Sequence, residues 1–304
     1  MTDIIVVGGG PAGMTAALYA RRNNKTVLVL EKNGFGGQIT YSPKVENIPG
    51  SLQISGNEFA ERTLDQILRQ GAEIELETVT EVRSEADRKL IRTAEGGEYE
   101  AKAVILATGV KHRMLGLPGE NELVGEGISF CAVCDGDFYT GQTVCVAGGG
   151  NSALQEAILL AGKCKQVIML QDLPDFTGEA RLQEVLFARE NVKAFTNVKI
   201  TGLLTENGAL TGVETEGRSD GKTQRIPCDG LFVAIGLIPE NEPFRDLAAL
   251  NEYGYFDSDE QCLTKTPGVF VAGDCRSKRV RQLTTAAADG ATAALAACNY
   301  LDRL

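Results

Sequence analysis

The sequence predicts an α/β fold of two three-layer domains, the second inserted into the first. Three observations carry this: a β-α-β pattern that occurs twice, a glycine-rich turn in each copy, and later strands that end on glycine. The copies align without a gap, residues 8–32 on 148–172. Gly8-Gly9-Gly10 falls on Gly148-Gly149-Gly150, Gly13 on Ala153, Ala17 on Ala157, Val27 on Val167 and Leu30 on Leu170. Each copy opens with an apolar strand (4–7 and 144–147), continues in a helix-like stretch (12–22 and 152–162) and closes in a second strand (26–30 and 166–170). Short apolar runs alternating with longer amphipathic ones are the pattern of parallel β-α-β units.

Later strands echo each copy: 104–109 and 231–236 end in Gly109 and Gly236, and 269–272 is followed by Gly273-Asp274. The nesting follows. A unit over 117–236 sits inside a domain made of 1–113 and 240–304, with crossings at 114–116 and 237–239. Gly116, Gly119, Gly236 and Pro239 surround those crossings, a composition suited to a hinge.

A lone Gly-x-Gly-x-x-Gly is weak evidence. Here Gly8, Gly10, Pro11, Ala12 and Gly13 follow a strand, open a helix, and are followed by Glu31 and Lys32 at the end of the next strand. That context is Rossmann-like. The glycines let the backbone approach a pyrophosphate at the positive end of the helix, and Glu31 is placed to accept from a ribose. The second copy supplies Gly148, Gly150, Asn151, Ser152 and Ala153, with Gln171 at the position of Glu31 and Asp172 one residue later.

Composition narrows the classes. A chain of 304 residues suits two domains, and 43% apolar with 23% charged residues is ordinary for a globular protein. A net charge of −11 opposes nucleic acid as a partner and leaves a basic partner surface open. The strand at 4–7 leaves no room for a signal sequence before it, and no apolar run approaches the ~18 residues of a membrane span, so a cytoplasmic protein is expected. Eight cysteines in so long a chain do not make a secreted scaffold. Cys145, Cys164, Cys228, Cys262, Cys275 and Cys298 read as small core residues. The single histidine, His112, reads as a surface residue near a domain junction and excludes any metal site needing two histidines.

The remaining cysteines, Cys131 and Cys134, form a Cys-x-x-Cys followed by Asp135-Gly136. Such a pair is redox-active or half of a zinc site. Structural zinc needs four N/S ligands; there is no second Cys-x-x-Cys, and His112 lies 19 residues away, so no metal is expected. A redox pair needs two thiols, because exchange passes through a mixed disulfide that the second thiol resolves, and one thiol must be substantially ionised to attack.

Gly8 to Gly13, Gly36-Gly37-Gln38, Val45-Glu46-Asn47-Ile48-Pro49-Gly50, Ala107-Thr108-Gly109, Cys131 to Gly136 and the run from Gly273-Asp274 to Arg281-Gln282 occur in one order over essentially the whole chain. In this the sequence resembles the low-molecular-weight thioredoxin reductases. The resemblance implies FAD in the first domain, with Asp274 on the ribityl chain and Glu31 on the adenosine ribose. Gly37, Gln38, Asn47, Arg281 and Gln282 would line the flavin, and Lys32, Gly36, Thr108, Gly109, Gly273 and Leu283 complete that site. From the residues alone, Gly273-Asp274 ahead of a helix over 284–298 reads as a further helix N-terminus, with Asp274 as a plain N-cap the simpler role. The resemblance further implies that Cys134 faces the flavin, that Cys131 attacks a thioredoxin-like protein, and that Asp135 moves the thiol proton, against the simpler role of capping the next turn. Asp137 reads as a turn residue. Family members are homodimers whose inserted domain rotates to bring nicotinamide and disulfide to the flavin in turn.

One segment departs from the family. NADPH-dependent members carry a His-Arg-Arg cluster after the second strand of the inserted unit; this chain reads Gln171-Asp172-Leu173-Pro174-Asp175-Phe176-Thr177-Gly178-Glu179, without Lys or Arg. A 2′-phosphate would meet Asp172, Asp175 and Glu179, and each like-charge pair at about 4 Å costs from ~1 kcal/mol in water to ~4 at an effective dielectric of 20. NADH, with Gln171, Asp172 and Gly236 among its contacts, is the expected donor. The segment also looks like that of the NADH-dependent alkyl hydroperoxide reductase flavoproteins, whose N-terminal thioredoxin-like module this chain lacks. Ferredoxin in place of a nicotinamide, a dithiol oxidase and a non-catalytic redox sensor are the alternatives.

Overall fold

Alternation along the first strand sets the layers of the first unit. In β1 (Thr2–Val7), Ile4 and Val6 join one apolar cluster, Ile5 and Val7 another, because successive side chains of a strand leave opposite faces. The computed structural model describes residues 1–85 and 88–304. It divides into two compact units, Met1–Lys111 with Ile238–Leu304, and His112–Leu237. The first unit continues through α1 (Pro11–Arg22), β2 (Val27–Leu30), α2 (Gly56–Arg69), β3 (Glu73–Glu75), β4 (Val79–Glu85), β5 (Arg88–Thr93) and β6 (Glu98–Leu106). α1 begins with proline at its first position and ends with Arg21 and Arg22, matching a fixed φ to the helix start and cations to the negative end of its dipole.

β7 (Val110–His112) leads into the second unit: α3 (Glu120–Leu123), β8 (Ile128–Ser129), α4 (Ala132–Asp135), β9 (Thr143–Ala147), α5 (Asn151–Ala161), β10 (Gln166–Leu170), α6 (Ala180–Phe187), β11 (Val192–Phe195), the antiparallel β12 (Val198–Glu206), β13 (Ala209–Gly217) and β14 (Thr223–Pro227), and then β15 (Gly230–Val233). Among the described residues its parallel sheet runs β11-β10-β9-β15-β8. Val144 and Val146 of β9 pack toward α5, while Cys145 and Ala147 face the other way, against Leu210, Val213 and Ile226 of the antiparallel sheet. The layers are helix, parallel sheet and antiparallel sheet.

β16 (Leu237–Pro239) pairs with β7, and the first unit closes with β17 (Val269–Val271) and α7 (Leu283–Leu301). Its sheet runs β3-β2-β1-β6-β5-β4, with β17 also parallel to β6. Alanine faces of α1 and α7 cover one side; Phe244, Leu247 and Phe256 cover the other. The crossover order β2-β1-β6 and its counterpart β10-β9-β15 put both glycine-rich turns at the C-terminal edge of a parallel sheet, where doubly wound folds bind ligands. Among the described residues no helix is long and apolar enough to cross a membrane.

Candidate active site

The first turn is clamped to its neighbouring strand ends. Gly8 donates to Leu30 O at 2.8 Å, and Ala107 donates to Val7 O at 2.8 Å. Gly8 has φ +109°, and a Cβ there would lie 2.3 Å from Ala107 O; a Cβ on Gly13 would lie 1.8 Å from Gly8 O. Only glycine fits either position. Gly10 caps α1 and Pro11-Ala12 begin it. Glu31 is buried: its Oε2 accepts from Gly9 N at 2.6 Å and its Oε1 from Asn33 N at 2.9 Å. Lys32 pairs with Glu240, which also takes Lys111 at 2.8 Å. Gly36 donates to Gly9 O at 2.9 Å, and Gly37 and Gln38 begin a short 3-10 turn.

The later segments close around this turn. Asn47 Nδ2 donates to Gln282 Oε1 at 3.2 Å. Thr108 Oγ1 donates to Asn241 Oδ1 at 2.8 Å, and the fully buried Asn241 donates on to Cys275 O at 2.8 Å and Gly254 O at 2.9 Å. Asn241 thus ties Thr108-Gly109 to the turn after β17. In that turn Gly273 donates to Asp289 Oδ2 at 3.1 Å, and Asp289 also holds Arg276 and Lys278, each at 2.9 Å. Arg281 donates to Asp274 O at 3.2 Å, with its guanidinium 4.2 Å from the centre of the Tyr255 ring.

Asp274 is not a helix cap. A 3-10 turn over Gly273–Cys275 intervenes, and α7 starts only at Leu283, capped by Gln282 in a reciprocal box with Thr285. Asp274 Oδ1 is instead buried with no hydrogen-bond partner, and burial pushes the carboxyl up against the pull of Lys278 and Arg281. A glycine turn that a Cβ would fill, beside a buried acceptor that among the described residues has no hydrogen bond and only Lys278 Nζ at 3.9 Å, fits a dinucleotide whose hydroxyl the carboxylate would bind.

The second turn repeats the clamps. Gly148 donates to Leu170 O at 3.0 Å and Ala234 donates to Ala147 O at 2.9 Å; Gly148 has φ +124°, and a Cβ there would meet Ala234 O at 2.4 Å. Gly150 caps α5, Asn151 and Ser152 open it, and Ala153 is buried behind them. The loop after β10 folds back: Thr177 N and Gly178 N both donate to Gly149 O at 2.9 Å, and Asn151 and Glu179 exchange hydrogen bonds of 2.9 and 2.7 Å. Buried Gln171 donates to Asp175 O at 3.0 Å, so its amide serves its own loop. Gly236 is exposed and accepts from Arg113 N at 3.0 Å.

The charge around this loop corrects the sequence reading. Arg218, at the end of β13, grips Asp172 with two hydrogen bonds of 2.5 and 2.7 Å, and that guanidinium holds the Asp172 carboxyl below the usual range. A cation therefore stands beside the predicted acidic cluster, 46 residues away in sequence.

The dithiol lies just past β8. Cys131 and Cys134 are joined as a disulfide with Cα atoms 5.3 Å apart, Cys131 capping the four-residue α4. Val133, between them, is 53% exposed. Ser129 Oγ donates to Asp135 Oδ2 at 2.6 Å and accepts from Cys131 N at 3.1 Å. Asp135 makes no capping bond to the next turn; its Oδ1 is buried and unpartnered, and burial pushes its carboxyl up. Asp137 is exposed and pairs with Lys163 at 2.5 Å. His112 is not a free surface residue: it is half-buried, stacked 4.4 Å from Phe130, and burial lowers it to about 4. The other six cysteines are buried. Among the described residues no cluster of His, Cys, Asp or Glu is placed to hold a metal ion.

Ser129, Asn241, Asp289 and Arg218 were not legible as site residues. Each acts through a partner brought near by the fold.

The family model for pyridine nucleotide-disulphide oxidoreductases matches residues 2–290. The chain is 37% identical over 302 residues to the thioredoxin reductase of Bacillus subtilis (strain 168), covering 99% of this chain and 95% of the relative. It is 39% identical over 300 residues to a 34.2 kDa protein in the rubredoxin operon of Clostridium pasteurianum, covering 98% and 97%. The thioredoxin reductase structure from Streptococcus pyogenes MGAS5005 superposes with a TM-score of 0.94 at 36% identity, covering 100% of this chain and 99% of that one. With these matches across both glycine turns and the dithiol, the chain belongs to the pyridine nucleotide-disulphide oxidoreductases, and among them to the low-molecular-weight thioredoxin reductases, FAD-dependent oxidoreductases.

Proposed function

We propose that this chain is a thioredoxin-disulfide reductase that passes electrons from NADH, through FAD in the first unit, to the Cys131–Cys134 pair and on to a thioredoxin-like protein. The carrying observation is the dithiol with Asp135 behind it, its carboxyl anchored on one oxygen by Ser129 and buried on the other. Gly8 to Gly13, Glu31, Thr108, Asp274 and Gln282 would hold FAD, which when bound carries an electron pair between a hydride donor and a disulfide.

The protein's own steps follow thiol–disulfide exchange. The Cys131 thiolate attacks one client sulfur, forming a mixed disulfide and releasing the other client sulfur, which takes a proton. The Cys134 thiolate then attacks Cys131 Sγ, freeing the second client thiol and restoring the Cys131–Cys134 disulfide. The client gains two electrons and two protons. Asp135 Oδ1 holds a proton for the departing sulfur, and Val133 offers the client an apolar contact beside the reacting atoms.

The donor reading rests on the loop after β10. Arg218 is the cation hydrogen-bonded at that loop, with Lys199 a further positive charge near Asp172, and both Asp172 oxygens already occupy Arg218, while Asp175 and Glu179 remain unpaired with any cation among the ion pairs of the described residues. A 2′-phosphate would have to displace Asp172; a ribose hydroxyl need not. The same loop favours, as a second reading, a ferredoxin in place of the nicotinamide. The enzyme is read as a homodimer with a hinged inserted unit.

Anaerobic titration of the flavin-loaded protein tests the reading. Rapid bleaching by NADH, slow bleaching by NADPH and turnover with a purified thioredoxin are expected; bleaching by reduced ferredoxin alone selects the second reading. Cys131→Ser should give a long-wavelength charge-transfer band from the Cys134 thiolate beside the flavin. Its appearance only in Cys134→Ser would reverse the two roles.

A further inference from the structure

Lys278 stands between two carboxylates and hydrogen-bonds to one of them. Its ammonium lies 2.9 Å from Asp289 Oδ2 and 3.9 Å from Asp274 Oδ1. Asp274 Oδ1 is left buried, with no hydrogen-bond partner among the described residues. The geometry points to Asp289 as a positioning residue of the flavin site: by holding Lys278 it keeps Asp274 Oδ1 open to a ligand hydroxyl. This deepens the reading of Asp274 as an FAD contact and rests on it.

Asp289 is fixed from several sides. Its Oδ1 accepts from Arg276 Nη1 at 2.9 Å, and its Oδ2 accepts from Gly273 N at 3.1 Å as well as from Lys278. Arg276 is engaged in turn, with Nε on Ser258 Oγ at 3.0 Å and Nη2 on Asp259 O at 2.7 Å. The helix that carries Asp289 is pressed against the first glycine turn: a Cβ on the neighbouring Gly290 would lie 2.1 Å from Ala12 O. Lys278 is the member that can change partners, because its ammonium ends a flexible four-carbon stem. The side chains of Lys278 and Asp289 are only 12% and 15% exposed. In so dry a site an ammonium that loses one carboxylate turns to the next. An approach of about 1 Å would put Lys278 within hydrogen-bond distance of Asp274 Oδ1 and close that acceptor. Arg281 does not take its place: it donates to the backbone carbonyls of Asp274 and Arg276, at 3.2 and 3.3 Å. Asparagine at 289 would keep an oxygen for Gly273 N and lose the charge that holds the ammonium.

The test follows FAD release from the purified holoenzyme on dilution, read as the recovery of free-flavin fluorescence, with melting temperature as the control for folding. It compares the wild type, Asp289→Asn, Lys278→Met, the double variant and Asp274→Ala. Asp289→Asn should release FAD about tenfold faster than the wild type, as expected when one hydrogen bond to a charged group is lost. Adding Lys278→Met should slow release again to the rate of Lys278→Met alone, because no ammonium remains to close on Asp274. Where Asp289→Asn purifies without flavin, the double variant should still carry it. A merely structural role predicts the opposite, since two deletions in one network then make release faster still. Wild-type release from Asp289→Asn, or release from the double variant as fast as from Asp289→Asn, overturns the role of Asp289. Wild-type release from Asp274→Ala overturns instead the reading of Asp274 on which it rests.

Discussion

Gly13→Ala should strip the flavin from the first unit, and the repeat provides its own control. The added Cβ would sit 1.8 Å from Gly8 O, 3.0 Å from Gly8 C and 3.2 Å from Val6 Cγ1. Ordinary contact begins at 3.4 Å, so the start of α1 must retreat by about 1.6 Å from the turn. The obstacle is backbone, and backbone cannot rotate away as a side chain does. Overpacking a core typically costs about 1–3 kcal/mol, and a clash with main chain belongs at the upper end. The retreat also withdraws the helix N-terminus from the pyrophosphate, so affinity falls with stability. At the matching position of the second unit the chain already carries Ala153, fully buried. Ala153→Gly should cost only about 1 kcal/mol of helix propensity and leave flavin bound. The assay is flavin absorbance per chain after desalting, with thermal melting of both variants. Gly13→Ala that retains one flavin per chain and melts with the wild type refutes the close-approach argument.

Asp172→Asn releases Arg218 from its two-point grip, so the ratio of kcat/KM for NADPH over NADH should rise by about tenfold, the scale of one charged hydrogen bond; adding Arg218→Ala should reverse the gain, and a ratio unmoved by Asp172→Asn would show that Arg218 does not reach the nucleotide. His112, lowered to about 4 from 6.5 by burial, stays neutral in the fold while the unfolded chain binds its proton. Stability is therefore whole above pH 6.5 and declines as pH falls toward 4, by about 3 kcal/mol in all. His112→Phe should flatten that decline, and the lone imidazole signal in NMR titration of the wild type should show no midpoint near 6.5.

Both glycine turns, their flanking strands and the dithiol were legible because each is written in consecutive residues. A turn that needs φ above zero demands glycine at a fixed offset, and a resolving thiol must lie within reach of its partner. The residues that support them leave no such trace. Asn241 reaches Thr108 across 133 positions, and Arg218 reaches Asp172 across 46. Asp289 sits in the first half of α7, where sequence shows only a polar residue in an alanine-rich helix; its hydrogen bond to Gly273 exists because α7 packs along the turn. Ser129 belongs to a two-residue strand, too short for any period. His112 misled for a related reason: Lys111 and Arg113 on either side are exposed, yet the ring alone turns inward onto Phe130.

The two copies of the β-α-β unit have kept one set of constraints and released another, a difference that would separate the resident flavin from the visiting donor proposed for the second turn. The clamps from glycine nitrogen to strand carbonyl agree within 0.2 Å between Gly8 and Gly148, and the steric prohibition at each is nearly equal. These give the two turns the same backbone shape, one that would cradle a phosphate in either copy. What differs is readiness to receive the rest of the nucleotide. In the first copy Glu31 is anchored by two backbone donors, Asp274 stands with one oxygen unsatisfied, and α1 is pressed to its strand as only Gly13 permits. Such prepaid ordering lowers the entropy lost on binding. In the second copy Gln171 is bonded to its own loop, Asp172 is bonded to Arg218, and a buried Ala153 stands where the first copy has Gly13. A nucleotide bound there as proposed would have to compete with those partners at its ribose end, which would weaken its residence and suit a donor that arrives, reacts and leaves.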